Sequence, residues 1–266
     1  FRIFGCAGGT ASLCAFCGVA VALFLQWGLP IPVAILLSLG CGVLCGLFNA
    51  WMVNCINLEA FIATLVTQTM VRGFAQLICD GRPVAISNQS FIKIGTARFL
   101  SIPVSVWITI IAFIVFGFIL ARTRFGRSIY AIGGSAEAAR LAGLNPRRIV
   151  TISFIIIGVL TALGGVVFAA RMNAGQPSAN VNLEFDAITA VILGGVSFAG
   201  GVGSMFGTVL GVLLIQAFGT GLIMVNVPSF WQSVAKGALL LAALTFDYIR
   251  KERREKELIA ASKRNA

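Results

Sequence analysis

The length of its uninterrupted apolar runs constrains this chain more than any other feature. Stretches such as Pro30 to Val53 and Val104 to Ala121 carry no charged residue at all. An α-helix needs about 20 residues to cross the hydrocarbon core of a bilayer, and these runs supply them. They are apolar on every side rather than striped at the helical period, so they do not suit the surface of a water-soluble core. A closed β-barrel also satisfies its backbone in lipid, but it would show alternating segments of about ten residues, and none is present. Only 11% of the residues are charged and 58% are hydrophobic, against roughly 25% charged in a soluble domain. The chain is therefore expected to be all-α, a polytopic helical membrane protein forming one transmembrane domain over 1–266.

Eight spans are predicted: Ala11 to Trp27, Pro30 to Val53, Ala60 to Leu77, Val104 to Ala121, Ile149 to Ala170, Phe185 to Ala199, Met205 to Val225 and Phe230 to Ile249. The sixth run is short, and a re-entrant hairpin is its rival reading. Basic residues arbitrate, because cytoplasmic loops retain Lys and Arg. Six of the twenty Lys and Arg lie in 122–148 and seven in 250–266. The two segments fall on the same side only if the sixth run crosses. The cytoplasm then sees 54–59, the loop 122–148, the turn 200–204 and the basic tail. The exterior sees 28–29, 80–101, 171–184 and 226–229.

The net charge of +11 is thus a matter of topology. Without a basic, aromatic-bearing soluble domain, no nucleic-acid partner is expected. All seven cysteines lie in the first 79 residues. Cys14-x-x-Cys17 has metal-site spacing, but there is no histidine and structural zinc wants four ligands. These cysteines, Cys6 included, are expected to act as small buried hydrophobes, with no metal site and no cofactor. The sequence opens at Phe1 without a basic n-region, unlike a signal peptide.

The longest cytoplasmic loop holds a short capped helix. Ser135 can cap the good helix formers Ala136 to Ala142, Gly143 supplies a stop, and Pro146 blocks resumption before the next span. Arg140 and Leu141 would be exposed. A stiff helix anchored at both ends transmits a push that a flexible loop would absorb, although a solvated interfacial helix has the same pattern.

Glu137-Ala138-Ala139-x-x-x-Gly143 resembles the EAA-type coupling segment of ABC importer permeases. The context resembles the ribose, xylose, arabinose and galactoside permease family, in three stretches: Ala60 to Leu65 with Arg72-Gly73; Gly126 to Arg148; and Leu183 to Gly195, Gly200-Gly201-x-Gly203 and Gln232-x-x-x-Lys236-Gly237. The resemblance implies a permease subunit importing a simple sugar through the bacterial inner membrane. It implies three partners: a cytoplasmic ATP-binding subunit docking at Ser135, Glu137, Ala138, Ala139, Arg140, Leu141 and Gly143; a periplasmic sugar-binding protein; and a second permease copy. The family pattern has ten spans and a Gly-Gly-Ile-Asp-Leu-Ser-type stretch ahead of the region beginning near Ala11, so two N-terminal spans are expected to be missing from this sequence.

Several residues admit two readings. Thr64, Thr67 and Gln68 in the third span, with Asn49 in the second, are neutral polar groups suited to a passing sugar or to hydrogen bonds between helices. Glu184 and Asp186 stand at a helix start, where the macrodipole favours carboxylates; with Arg82 they also face the side of an exterior binding protein. Arg72 and Lys236 snorkel or serve function. Gly203, Gly207 and Gly211 are spaced for close helix approach, inside the subunit or between copies.

No Gly-x-x-x-x-Gly-Lys-Ser/Thr loop is present to hold phosphates, so the chain is expected to be no enzyme. An ion- or proton-coupled carrier is the alternative. It would use acidic or histidine relays inside spans, and the carboxylates here lie near span ends.

Overall fold

The computed structural model describes residues 9–99, 101–197 and 200–264; Cys6 and the far end of the sixth run at Ala199 lie outside them. The chain divides into two compact units, Phe1–Glu184 and Phe185–Ala266.

The first unit holds eight helices: α1 Thr10–Gln26, α2 Ile31–Cys55, α3 Ala60–Ile78, α4 Gln89–Thr96, α5 Val104–Arg122, α6 Arg124–Gly134, α7 Ala136–Leu141 and α8 Pro146–Met172. Pro30 and Asn145 stand at the N-caps of α2 and α8, and the prolines at the start of both helices fall where a missing N–H costs nothing. Helices α2, α3, α5 and α8 are long and apolar enough to cross a membrane, and the shorter α1 is also apolar. The core forms where α8 packs against α1 and α2 through glycines. A Cβ on Gly42 would stand 2.5 Å from the Gly158 carbonyl oxygen, and one on Gly46 2.6 Å from that of Phe154. Such backbone-to-backbone contact is how small residues bind helices in lipid, where apolar side chains gain nothing by leaving it. By contrast α5 has no buried residue, and Ile114 and Phe118 are 66% and 65% exposed. That surface is tolerable only against lipid or protein.

Two contacts join loops that were expected to share a side. Strand β1 (Val84–Ala85) pairs antiparallel with β4 (Ala174–Gly175), joining the loops 80–101 and 171–184. At the other face Asn54 Nδ2 donates to the Arg147 carbonyl at 3.2 Å and to Thr151 Oγ1 at 2.9 Å, tying the 54–59 turn to the end of 122–148. A hairpin of β2 (Arg98–Phe99) and β3 (Ile102–Pro103) precedes α5.

Two helices were not expected from the sequence. In the exterior loop, α4 is capped by Asn88, whose Oδ1 accepts from the backbone N–H groups of Ser90 and Phe91. It drives the fully buried Phe91 against Val19, Val166 and Ala170. In the cytoplasmic loop, α6 carries Phe125, Ile129 and Ile132 at helical spacing. Its glycines hide it from propensity, yet a Cβ on Gly126 would collide with the Leu120 backbone, so the tight α5–α6 turn requires one of them.

The second unit contains α9 (Leu183–Leu193, which begins at the end of the first), α10 (Met205–Met224) and α11 (Ser229–Arg264). Here the structure corrects the sixth span. It was expected as a helix over Phe185 to Ala199, but α9 has 11 residues, about 16 Å of a core about 30 Å thick. Its stop is a Schellman motif, made possible by Gly195 at φ +85°. The Gly195 N–H donates to the Ile192 carbonyl and the Val196 N–H to that of Val191. Helix α9 then packs antiparallel on α10, with Gly194 against Gly207 and Ala190 against Gly211. Helix α11 was expected to end as a span at Ile249, but it continues without a break to Arg264, through the basic segment.

Candidate functional site

The segment expected to receive an ATPase is built from short-range chemistry. Ser135 ends α6 and starts α7, its Oγ accepting from the Ala138 N–H at 3.2 Å. Gly143, at φ +82°, closes a second Schellman motif, with its N–H on the Arg140 carbonyl and the Leu144 N–H on that of Ala139, both 3.0 Å. Asn145 Oδ1 then caps α8 through the Arg148 N–H. The short helix is thus fixed at both ends. Ala139 is its buried foot, 4% exposed, while Leu141 is 86% exposed and Glu137, Ala138 and Arg140 are also exposed. The result is a rigid knob with an apolar tip and one charge of each sign beside it.

The polar residues of α3 divide. Thr64 donates its hydroxyl to the Ala60 and Phe61 carbonyls of its own helix. Thr67 Oγ1 donates to Asn49 Oδ1 at 2.7 Å, a buried hydrogen bond between α3 and α2. Thr67 and Asn49 therefore do what such groups do between packed helices, whereas these two bonds of Thr64 stay within α3. A mostly apolar cleft of about 290 Å³ is lined by Phe16, Phe48, Met70 and Phe74 together with Thr67 and Cys45.

Gln68 is different. Its Nε2 donates to Glu184 Oε1 at 2.6 Å, and Glu184 is 4% exposed. This contact lies deep. Gln68 precedes the outer end of α3 at Ile78 by ten residues, about 15 Å along the axis. The chain reaches that depth by an irregular stretch after α8. Gly175 packs on Gly18 and Val19 of α1, Pro177 is fully buried, and Asn180 Nδ2 donates to Cys14 Sγ at 3.3 Å. Cys14 lies twelve residues inward from Gln26, about 18 Å. Irregular backbone at such depth is tolerated where protein buries it. Glu184 therefore lies level with the interior of α3, well away from its Ile78 end.

The other expected site residues are placed as follows. Arg82 is exposed in the exterior loop. Asp186 pairs with Lys236 at 2.5 Å, tying α9 to α11. Glu184 and Asp186 both sit in the first turn of α9, where the free N–H groups favour carboxylates. The burial of Glu184 takes it away from any exterior surface. Gly203 lies outside α10, under Val196, so only Gly207 and Gly211 of the expected glycine row share a helix, and they face α9. Arg72 turns back to Ser12, with Nε donating to Oγ at 3.0 Å. Among the cysteines, Cys14 and Cys17 are buried as expected, but Cys55 is exposed.

The sequence reading missed the Gly42-x-x-x-Gly46 pair of α2, although its spacing is the same signal that drew attention to Gly203, Gly207 and Gly211. It also missed the link from Gln68 to Glu184, which no local pattern announces.

Residues 7–244 match the family described as branched-chain amino acid transport system / permease component. The chain is 38% identical over 242 residues to the probable ABC transporter permease protein YphD of Escherichia coli K12, covering 91% of this chain and 73% of that protein. It is 37% identical to the L-arabinose ABC transporter permease protein AraH of Azospirillum brasilense, over 92% of this chain and 72% of that one. The ribose import permease protein RbsC of Haemophilus influenzae is 38% identical, over 89% and 74%. No solved structure gives a significant match. Permease subunits of ABC importers are not enzymes, and they work with ATP-binding and substrate-binding partners. Its coverage and identities place the chain in this family of ABC importer permeases, as a multi-pass membrane subunit.

Proposed function

We propose that this chain is the translocation subunit of an importer that carries a simple sugar, a pentose or hexose, inward across a bacterial inner membrane. The names of its relatives, for arabinose, ribose and xylose, support a sugar as cargo. The observation that carries the mechanism is α7, a short helix capped by Ser135 and Gly143, with Leu141 projecting from it. Glu137, Ala138, Arg140 and Leu141 are the surface that receives a separate ATPase, and Ala139 seats the helix on its own subunit. ATP-driven movement of that ATPase biases the helices between two discrete packings, one open outward and one inward. A sugar-binding protein delivers the solute at the exterior face, where Arg82 is exposed, and a second copy of the chain completes the pathway.

The test is reconstitution of the complex, with ATPase and binding protein, in vesicles. Uptake of pentoses or hexoses that stops when ATP is withheld supports the proposal. Uptake that persists without ATP, or that stops when a proton gradient is collapsed with ATP still present, refutes it in favour of an ion-coupled carrier.

A further inference from the structure

The polar pair at the start of α9 is under-satisfied in a specific way. The Gln68 amide and the Glu184 carboxylate bond to each other through Nε2 and Oε1, which fixes the amide with its oxygen on the other side. That leaves Gln68 Oε1 and Glu184 Oε2, both buried, with no donor among the described residues. A buried acceptor without a donor costs about as much as a lost hydrogen bond, and more when it is charged. Two such acceptors on one hydrogen-bonded pair call for a donor from outside the pair. At the preceding residue of α3, by contrast, the buried Thr67 hydroxyl is satisfied by Asn49; among the described residues the one other buried side-chain oxygen without a partner is Asn54 Oδ1.

Three features define what would satisfy them. Both free atoms are acceptors, so the ligand brings donors. Their side chains are hydrogen-bonded to each other, so a single small molecule carrying several donors would serve both. They lie ten residues in from the Ile78 end of α3, about 15 Å along its axis, beyond the stretch that Asn180 holds on Cys14 of α1. We propose that Gln68 and Glu184 form a solute site that accepts hydrogen bonds from hydroxyls of the transported polyol or sugar. This rests on the sugar reading of the cargo. Glu184 is then a binding residue inside the pathway, not a contact for the exterior binding protein. The two oxygens are closed off from the surface in this conformation, so the site is occluded here and opens when the helices repack.

The experiment uses the full reconstituted complex. Uptake is measured for a pentose and for its analogue lacking one hydroxyl, with the branched-chain amino acid leucine as a third cargo. The variants are Glu184→Gln and the double Gln68→Leu/Glu184→Leu, which removes both polar partners and so leaves neither one stranded. ATPase co-purification and stimulated ATP hydrolysis establish that each variant is assembled. The expected result is that hydrolysis persists, sugar uptake per ATP falls on the order of tenfold, the value of one charge-assisted hydrogen bond, and the preference for the fully hydroxylated sugar shrinks by a similar factor. A merely structural pair would not move that preference. Assembled variants that keep the wild-type preference overturn the site and leave the sugar importer standing. A wild-type complex that takes up leucine and neither sugar overturns both.

Discussion

Replacing Gly42 by alanine adds one methyl group at the tightest described contact between α2 and α8. The new Cβ would stand 2.5 Å from the Gly158 carbonyl oxygen and 2.7 Å from Ala162 Cβ, where ordinary contact begins at 3.4 Å. The two backbones must therefore part locally by about 1 Å. Neither neighbour is a flexible side-chain end that can swing aside. Overpacking of this kind costs about 1–3 kcal/mol. Gly40, two residues earlier on the same helix, is the control, because a Cβ there meets nothing within 4 Å. Gly40→Ala relieves a helix of glycine and gains about 0.5–1 kcal/mol. The gain in helix propensity is common to both substitutions and cancels, so they should differ by the overpacking cost alone, roughly 1–3 kcal/mol. Reversible unfolding by SDS in mixed micelles, followed by tryptophan fluorescence, measures both, and Trp51 lies on α2 itself. Equal unfolding free energies for the two variants, within about 0.5 kcal/mol, would refute the idea that backbone contact holds this bundle together.

Three further outcomes follow from named contacts. Leu141→Asp changes a side chain 86% exposed, so the unfolding free energy should stay within about 0.5 kcal/mol while the ATPase no longer co-purifies; retention of the ATPase would move the coupling surface elsewhere. Gly143→Ala forces an L-residue to φ +82°, which should cost about 1–2 kcal/mol in the same SDS titration, and no loss would mean that the turn relaxes freely. Lys236→Met strands Asp186 and should destabilise by about 1 kcal/mol, kept small by the partial exposure of the pair; adding Asp186→Asn should restore most of the loss, and strict additivity of the two changes would show that the ion pair is not coupled.

Long-range apolar patterning made most of the fold legible. Spans rest on about twenty residues each, and no local detail can override so large a signal. This is why Ile31–Cys55 and Val104–Arg122 fall within a few residues of expectation. Helix α7 was legible for the opposite reason. Ser135, Gly143 and Pro146 act on their own neighbours, so their effect is written locally. Failures came where tertiary contact decides. Gly126 and Gly133-Gly134 lower the helix propensity of α6, and only the Leu120 backbone explains Gly126. Glu184 looked like a surface carboxylate at a helix start because the sequence does not reveal that the helix begins deep in the bundle. Gln68 stands 116 residues from its partner, and such a pair leaves no periodicity to read.

The two departures from plain spanning helices lie at opposite ends of α8. At its N-terminus, Asn145 and Pro146 join it directly to the Schellman turn of α7. Its C-terminus at Met172 runs straight into the irregular stretch that carries Asn180 and Glu184 inward. Between them α8 is a rod of 27 residues, about 40 Å long, and its glycines press on the backbones of both α1 and α2. Close-packed backbone contacts do not stretch; they hold or they slip to another packing. A push on α7 therefore displaces α8 together with α1 and α2 as one body. The same displacement acts on the stretch that sets the position of Glu184 against Gln68 on α3. If α7 receives the ATPase and the Gln68–Glu184 pair receives the solute, as proposed, a single helix links the two, and a soft connection anywhere along it would dissipate the push.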